Sequence, residues 1–145
     1  MIERIYRILG ISGAFLVFVI LMGCATVPLP KQAVTQESLK GTASAYWKLR
    51  MGEKYKDTFE MEDKEALQKL NGQGRPLYEF YVDRARAIRN TDIKSYSIKD
   101  VTLEDGKGRV DVEFIFTLPE IPKPIHQVVS ERWVFRNGKW LHILP

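Results

Sequence analysis

The hydrophobic period of this chain changes once, near Thr91, and that change divides it into a helical part followed by a sheet part. Before it, Leu39, Ala43, Tyr46 and Trp47 fall on one face at helical spacing, with Leu49 and Met51 flanking it. The spacing predicts an amphipathic helix over 36–51, with Thr35 as its N-cap and Gly52 ending or bending it. Residues 53–70 place Tyr55, Phe59, Met61, Ala66, Leu67 and Leu70 among many charges, the pattern of one or two shorter helices. Asn71-Gly72-Gln73-Gly74-Arg75-Pro76 is a breaker. Beyond it, Leu77, Tyr81, Ala85 and Ile88 form another helical stripe, which runs to Arg89.

After Thr91 the period is two. Tyr96 and Ile98, then Val101 and Leu103, predict a strand with a one-residue slip near Asp100, as a bulge produces. Asp105-Gly106-Lys107-Gly108 is a hairpin turn, after which Val110, Val112, Phe114 and Phe116 alternate and must share one buried face. Pro119, Pro122 and Pro124 remove three ladder donors between Leu118 and Ile125, so that stretch is expected as a stiff connection at a sheet end or edge. The strand pattern resumes from Val128 to Arg136, Asn137-Gly138 is a strong hairpin signal, and residues 139–144 return as the last strand. The sum is an α+β domain over 36–145, with N-terminal helices packed on one face of an antiparallel sheet of about four strands.

Two stretches carry a likeness to a known family. One is Ala45-Tyr46-Trp47-Lys48-Leu49-Arg50-Met51-Gly52-Glu53-Lys54-Tyr55-Lys56-Asp57-Thr58-Phe59, a helix ending in Gly followed by a short helix with aromatic contacts. The other is the terminal hairpin Trp133-Val134-Phe135-Arg136-Asn137-Gly138-Lys139-Trp140. Together they resemble the nuclear transport factor 2-like superfamily, which implies a cone of helices wrapped by a curved antiparallel sheet, often with a pocket between them. Some members are enzymes that place an Asp, Tyr or His in an apolar cavity, but no such motif transfers residue by residue onto this chain. The short early strand pair of many members is not evident before Tyr96, and a cystatin-like helix-on-sheet arrangement is the nearest alternative.

The N-terminus has a separate logic. Arg4 and Arg7 precede an uncharged, mostly apolar run from Ile8 to Met22, the plan of a signal peptide. Leu21-Met22-Gly23-Cys24 resembles the bacterial lipobox, which implies thioether lipidation of Cys24 and removal of residues 1–23. Cys24 is the only cysteine, so no intramolecular disulfide competes for it. An uncleaved single-pass anchor is the alternative, and Arg4 and Arg7 would keep the N-terminus cytoplasmic in either case. Ala25 after the Cys, by similarity to enterobacterial lipoproteins, implies outer-membrane sorting in a source that has one. Residues 24–35, with Pro28 and Pro30, read as a tether.

Chemistry is sparse. Glu3, Arg4 and Arg7 carry a net +1 of the formal +4, so the mature chain would hold +3 with its charges interspersed, which gives a nucleic-acid partner little support. His126 and His142 have no second ligand at metal-binding spacing, Glu60-Met61-Glu62-Asp63-Lys64-Glu65 lacks a calcium loop's pattern and reads as a solvated helix start, and Gly72-Gln73-Gly74 reads as a turn. No cofactor is expected. Arg84, Arg86 and Arg89 suit a helix C-terminus, with anion binding as the alternative. Trp133 and Trp140 flank the Asn-Gly turn and are expected to face each other as a cross-strand pair.

Two functions remain open. One is a non-enzymatic accessory lipoprotein that binds another envelope component, with Ile121 and Ile125 of the Pro-rich loop as contact residues. The other is a small-molecule binder or weak enzyme with an apolar pocket lined by Tyr46, Tyr81, Tyr96 and His142, in which an inward His142 would serve as a base.

Overall fold

The computed structural model describes residues 33–72, 74–89 and 92–145, and for 88, 89 and 92 the backbone alone. Cys24, the signal segment and most of the tether lie outside the described residues, as do the side chains of Ile88 and Arg89. Among the described residues no helix is long and apolar enough to cross a membrane.

Among the described residues four helices come first: α1 (Gln36–Met51), α2 (Tyr55–Phe59), α3 (Lys64–Asn71) and α4 (Leu77–Arg89). α1 starts at a reciprocal cap, in which Thr35 Oγ1 accepts from Ser38 N at 3.1 Å and Ser38 Oγ accepts from Thr35 N at 3.3 Å. Trp140 Nε1 also donates to Ser38 Oγ at 3.0 Å, tying this cap to the last strand. α3 starts at Asp63, whose Oδ1 accepts from Glu65 N at 3.1 Å and Ala66 N at 3.4 Å. Arg136 Nη1 reaches the same oxygen at 3.3 Å.

The sheet is an antiparallel meander in the order β1 (Asp92–Glu104), β2 (Lys107–Leu118), β3 (Ile121–Arg136) and β4 (Lys139–Ile143). The α+β expectation holds, four strands included. Two hairpins close through two-residue loops with positive φ at both positions, Asp105 (47°) with Gly106 (72°) and Asn137 (52°) with Gly138 (79°). That geometry matches the right-handed twist of the flanking strands. In β1 the register slips between Ile98 and Asp100, where the sequence places a bulge, and again between Ile93 and Ser95.

Register decides which side chains meet the helices. Val110, Val112, Phe114 and Phe116 on β2 stand beside Val101, Ile98, Tyr96 and Ile93 on β1, and beside Glu131, Val129, Gln127 and Ile125 on β3. α1 packs over β1 and β2, burying Leu39, Ala43, Tyr46 and Trp47 against this face. Gly108 leaves room for the approach: a Cβ there would run into Leu39 Cδ2 and lie 3.4 Å from Trp140 Cζ3. A second cluster, Tyr55, Leu67, Tyr81, Ala85 and Leu144, joins α2, α3 and α4 to the end of the chain.

Three expectations are corrected. Trp133 pairs with His142 and Trp140 with Phe135, so the two tryptophans share a face but are not opposite each other. The stretch around Ile121 and Ile125 lies at a sheet edge as expected, but as the paired start of β3 rather than as a connection, with Leu118 paired to Ile121 and Phe116 to Ile125. Pro122 and Pro124 are tolerated there because they share a parity and β4 pairs only with Arg132–Arg136, so one side of this half of β3 needs no donors. Third, the acidic run is not wholly solvated: Glu62 and Asp63 are buried.

Candidate functional site

Three helical positions, Tyr46, Trp47 and Arg50, lie within one turn on the face of α1 that meets the sheet, and all are buried. Opposite them, Val129 and Glu131 alternate inward on β3, His142 points inward from β4, and Leu144 is buried just past its end. Between these elements lies a cavity of about 290 Å³. Trp47, Phe114, Phe116, Val129 and Leu144 make its walls apolar, while Arg50, Glu131 and His142 supply polar groups.

Glu62 completes the constellation from behind. The link between α2 and α3 carries it, clipped to β4 by two backbone hydrogen bonds: His142 N donates to Met61 O and Asp63 N donates to His142 O, each at 2.8 Å. Its carboxylate lies 3.0 Å from His142 Nδ1 and accepts from Tyr46 Oη at 2.6 Å. On the other side of the imidazole, Nε2 is 3.9 Å from Glu131 Oε1, too long for a hydrogen bond but close enough for a strong field. Trp47 Nε1 donates to both Glu131 oxygens at 3.0 Å. Arg50 donates to Tyr81 Oη at 3.2 Å and to Ala85 O at 3.3 Å, and Tyr81 Oη donates to Thr58 Oγ1 at 2.7 Å.

The proton affinities follow from this packing. Burial by itself would lower that of His142, but Glu62 and then Glu131 more than offset it, and the imidazole is raised above its ordinary value. Burial pushes Glu131 up against the opposing pull of His142 and Trp47. Burial also raises Tyr46, with Glu62 adding to it. The wall thus presents an imidazole of raised proton affinity between two acids, with a carboxyl on the cavity side that holds its proton more tightly than usual. A hydrogen bond given or taken at Glu131 is the chemistry this geometry allows most directly.

Of the four tyrosine and histidine candidates, the structure brings together Tyr46 and His142, whose rings are 4.6 Å apart on the cavity wall. Tyr81 is buried on the far side of Arg50, and Tyr96 donates to Ser44 O at 2.9 Å and packs on Trp47; neither lines the cavity. Ile121 is exposed and Ile125 half-buried, and neither lines the cavity. The sequence reading missed Glu131, Arg50 and Glu62. Glu131 carried a signal, a charge with the inward parity of Val129 and Trp133, and so did Arg50, a cation one turn beyond Tyr46 on the apolar stripe. Glu62 carried none within its acidic run. Among the described residues no group of His, Cys, Asp and Glu is placed to hold a metal ion.

Neither a family model nor a curated protein matches this chain. Among solved structures it is similar to a Campylobacter jejuni chain provisionally named an NTF2-like transpeptidase, with a TM-score of 0.49, 13% identity, and coverage of 74% of this chain and 98% of that one. The likeness is one of helices and sheet, and no activity is taken from it.

Proposed function

We infer that this is a membrane-tethered envelope lipoprotein whose domain is a binding module for a small apolar molecule. The observation that carries the binding reading is the cavity between α1 and the sheet, apolar on most of its wall with Arg50, Glu131 and His142 converging at one side. Its volume of about 290 Å³ is at the small end of the range for ligand pockets, roughly 300 to 1,000 Å³. Arg4, Arg7, the apolar run and the Leu21-Met22-Gly23-Cys24 join support the tether, with lipid on Cys24 as the membrane contact and the outer membrane facing the periplasm as the location in a Gram-negative source. The binding reading is tested by amide chemical shifts of the full chain titrated with cyclohexanol. Shifts concentrated at Val129, Glu131 and Leu144 are expected; shifts absent from those amides would remove it.

A second reading keeps β3 as a contact surface for another envelope protein, because among the described residues its first half has one unpaired side and exposes Ile121 and Val128. Pull-down from envelope extracts with Ile121→Asp and Ile125→Asp tests it, and identical captured proteins with and without the substitutions would count against it.

A further inference from the structure

The polar groups around the cavity are largely committed to partners within the protein. Arg50, Glu131 and His142 line it, and Glu62 stands behind His142, two basic and two acidic groups. Arg50 spends donors on Tyr81 Oη and Ala85 O, and its guanidinium carbon lies 5.7 to 5.9 Å from the centroids of Tyr46, Trp47, Tyr55 and Tyr81. Both oxygens of Glu131 accept from Trp47, and His142 Nδ1 is held by Glu62. Nε2 of His142 has no hydrogen-bond partner but is sealed from solvent. Arg132, the other charged side chain on the lining, is exposed and so belongs to the rim.

An ion entering this space would leave water among groups whose hydrogen bonds and ring contacts are already directed at the protein, and a poorly paired buried charge is strongly unfavourable. The raised proton affinity of Glu131 is the same penalty acting on one of the cavity's own groups. A neutral body loses little by entering, and aromatic walls at Trp47, Phe114 and Phe116 offer it dispersion contacts.

We propose that the cavity selects ligands whose enclosed part is uncharged and mainly apolar, an aromatic or alicyclic body bearing at most a hydroxyl or carbonyl, and rejects the carboxylate or ammonium form of the same body. This rests on the cavity being the ligand site. Glu131 is the group on the wall that such a hydroxyl or carbonyl would meet, taking or giving one hydrogen bond.

The test uses three probes with one aromatic body, 2-naphthalenemethanol, 2-naphthoate and 2-naphthylmethylammonium, titrated into the full chain by calorimetry at pH 7.5. Val129→Trp, which fills the cavity from the sheet side, is run in the same medium so that partition into lipid or detergent is subtracted. Ile93→Trp fills it from the neighbouring wall and serves where Val129→Trp loses its thermal unfolding transition. The alcohol is expected to bind at least tenfold more tightly than either ion, and the filled variant to lose that binding while still unfolding cooperatively. If an ion binds as tightly as the alcohol and filling abolishes both, the selectivity is overturned while the site stands. If none of the three binds, or filling changes nothing, the site itself is overturned and the selectivity with it.

Discussion

Glu62, Glu131, Tyr46 and Trp133 all converge on His142, and its behaviour is set by these neighbours rather than by its own position. Its proton affinity in the fold lies above the ordinary 6.5, so its contribution to stability is fully present below about pH 6.5 and is lost as the pH rises through the raised value. Glu131 acts with the same sign at lower pH: being raised above 4.5, it favours the fold below that value and loses the effect as the pH climbs through its own folded-state value. Urea denaturation should therefore show a higher midpoint at pH 6 than at pH 9. Replacing His142 with Gln leaves Glu62 without its buried counter-charge, a loss of about 3 to 5 kcal/mol by the general cost of breaking such a pair. It should also flatten the dependence between those two pH values. A variant that keeps the wild-type slope would show that the titration lies elsewhere.

At the scale of elements, the bounds of α1 and the positions of two hairpin loops were legible because each has a local chemical cause. Thr35 and Ser38 start α1, Gly52 ends it, and the Asp-Gly and Asn-Gly pairs fix two hairpins by tolerating positive φ. Thr35→Ala removes one arm of the α1 cap and should cost about 1 kcal/mol, read as a lower urea midpoint with an unchanged slope. Gly108→Ala should cost more, roughly 1 to 3 kcal/mol by overpacking, because the added methyl meets Leu39, which is fully buried. Less legible were features that depend on pairing at a distance. Which residue of β4 faces Trp133 follows from counting back from the Asn-Gly loop, and that count puts His142 there and not Trp140. That β3 begins at Ile121 depends on β4 being only five residues long, since a longer β4 would have required the donors that Pro122 and Pro124 lack.

For the whole molecule, four of the five polar residues of the constellation left a trace in the sequence and one, Glu62, left none. Tyr46 and His142 showed themselves through parity and helical spacing, and Glu131 and Arg50 were visible in the same patterns as charges on apolar stripes. Glu62 reaches the site only because the chain folds back from α2 to lie against β4, a tertiary event that no local period records. The proposed tether is a property of the full chain as well. Labelling cells with a palmitate analogue should mark the wild-type protein and leave Cys24→Ala unmarked; equal labelling of both would remove the anchor at that position.

The clip between Met61–Asp63 and His142 has a mechanical consequence. With backbone bonds on both sides of Glu62 and its side chain enclosed by the core, carrying this carboxylate away from the imidazole into water requires the helical layer to peel from the sheet. The amides of Asp63 and His142 should therefore exchange with deuterium in step, at one shared opening rate. In that respect the last strand works as a seam that holds the two halves of the chain shut.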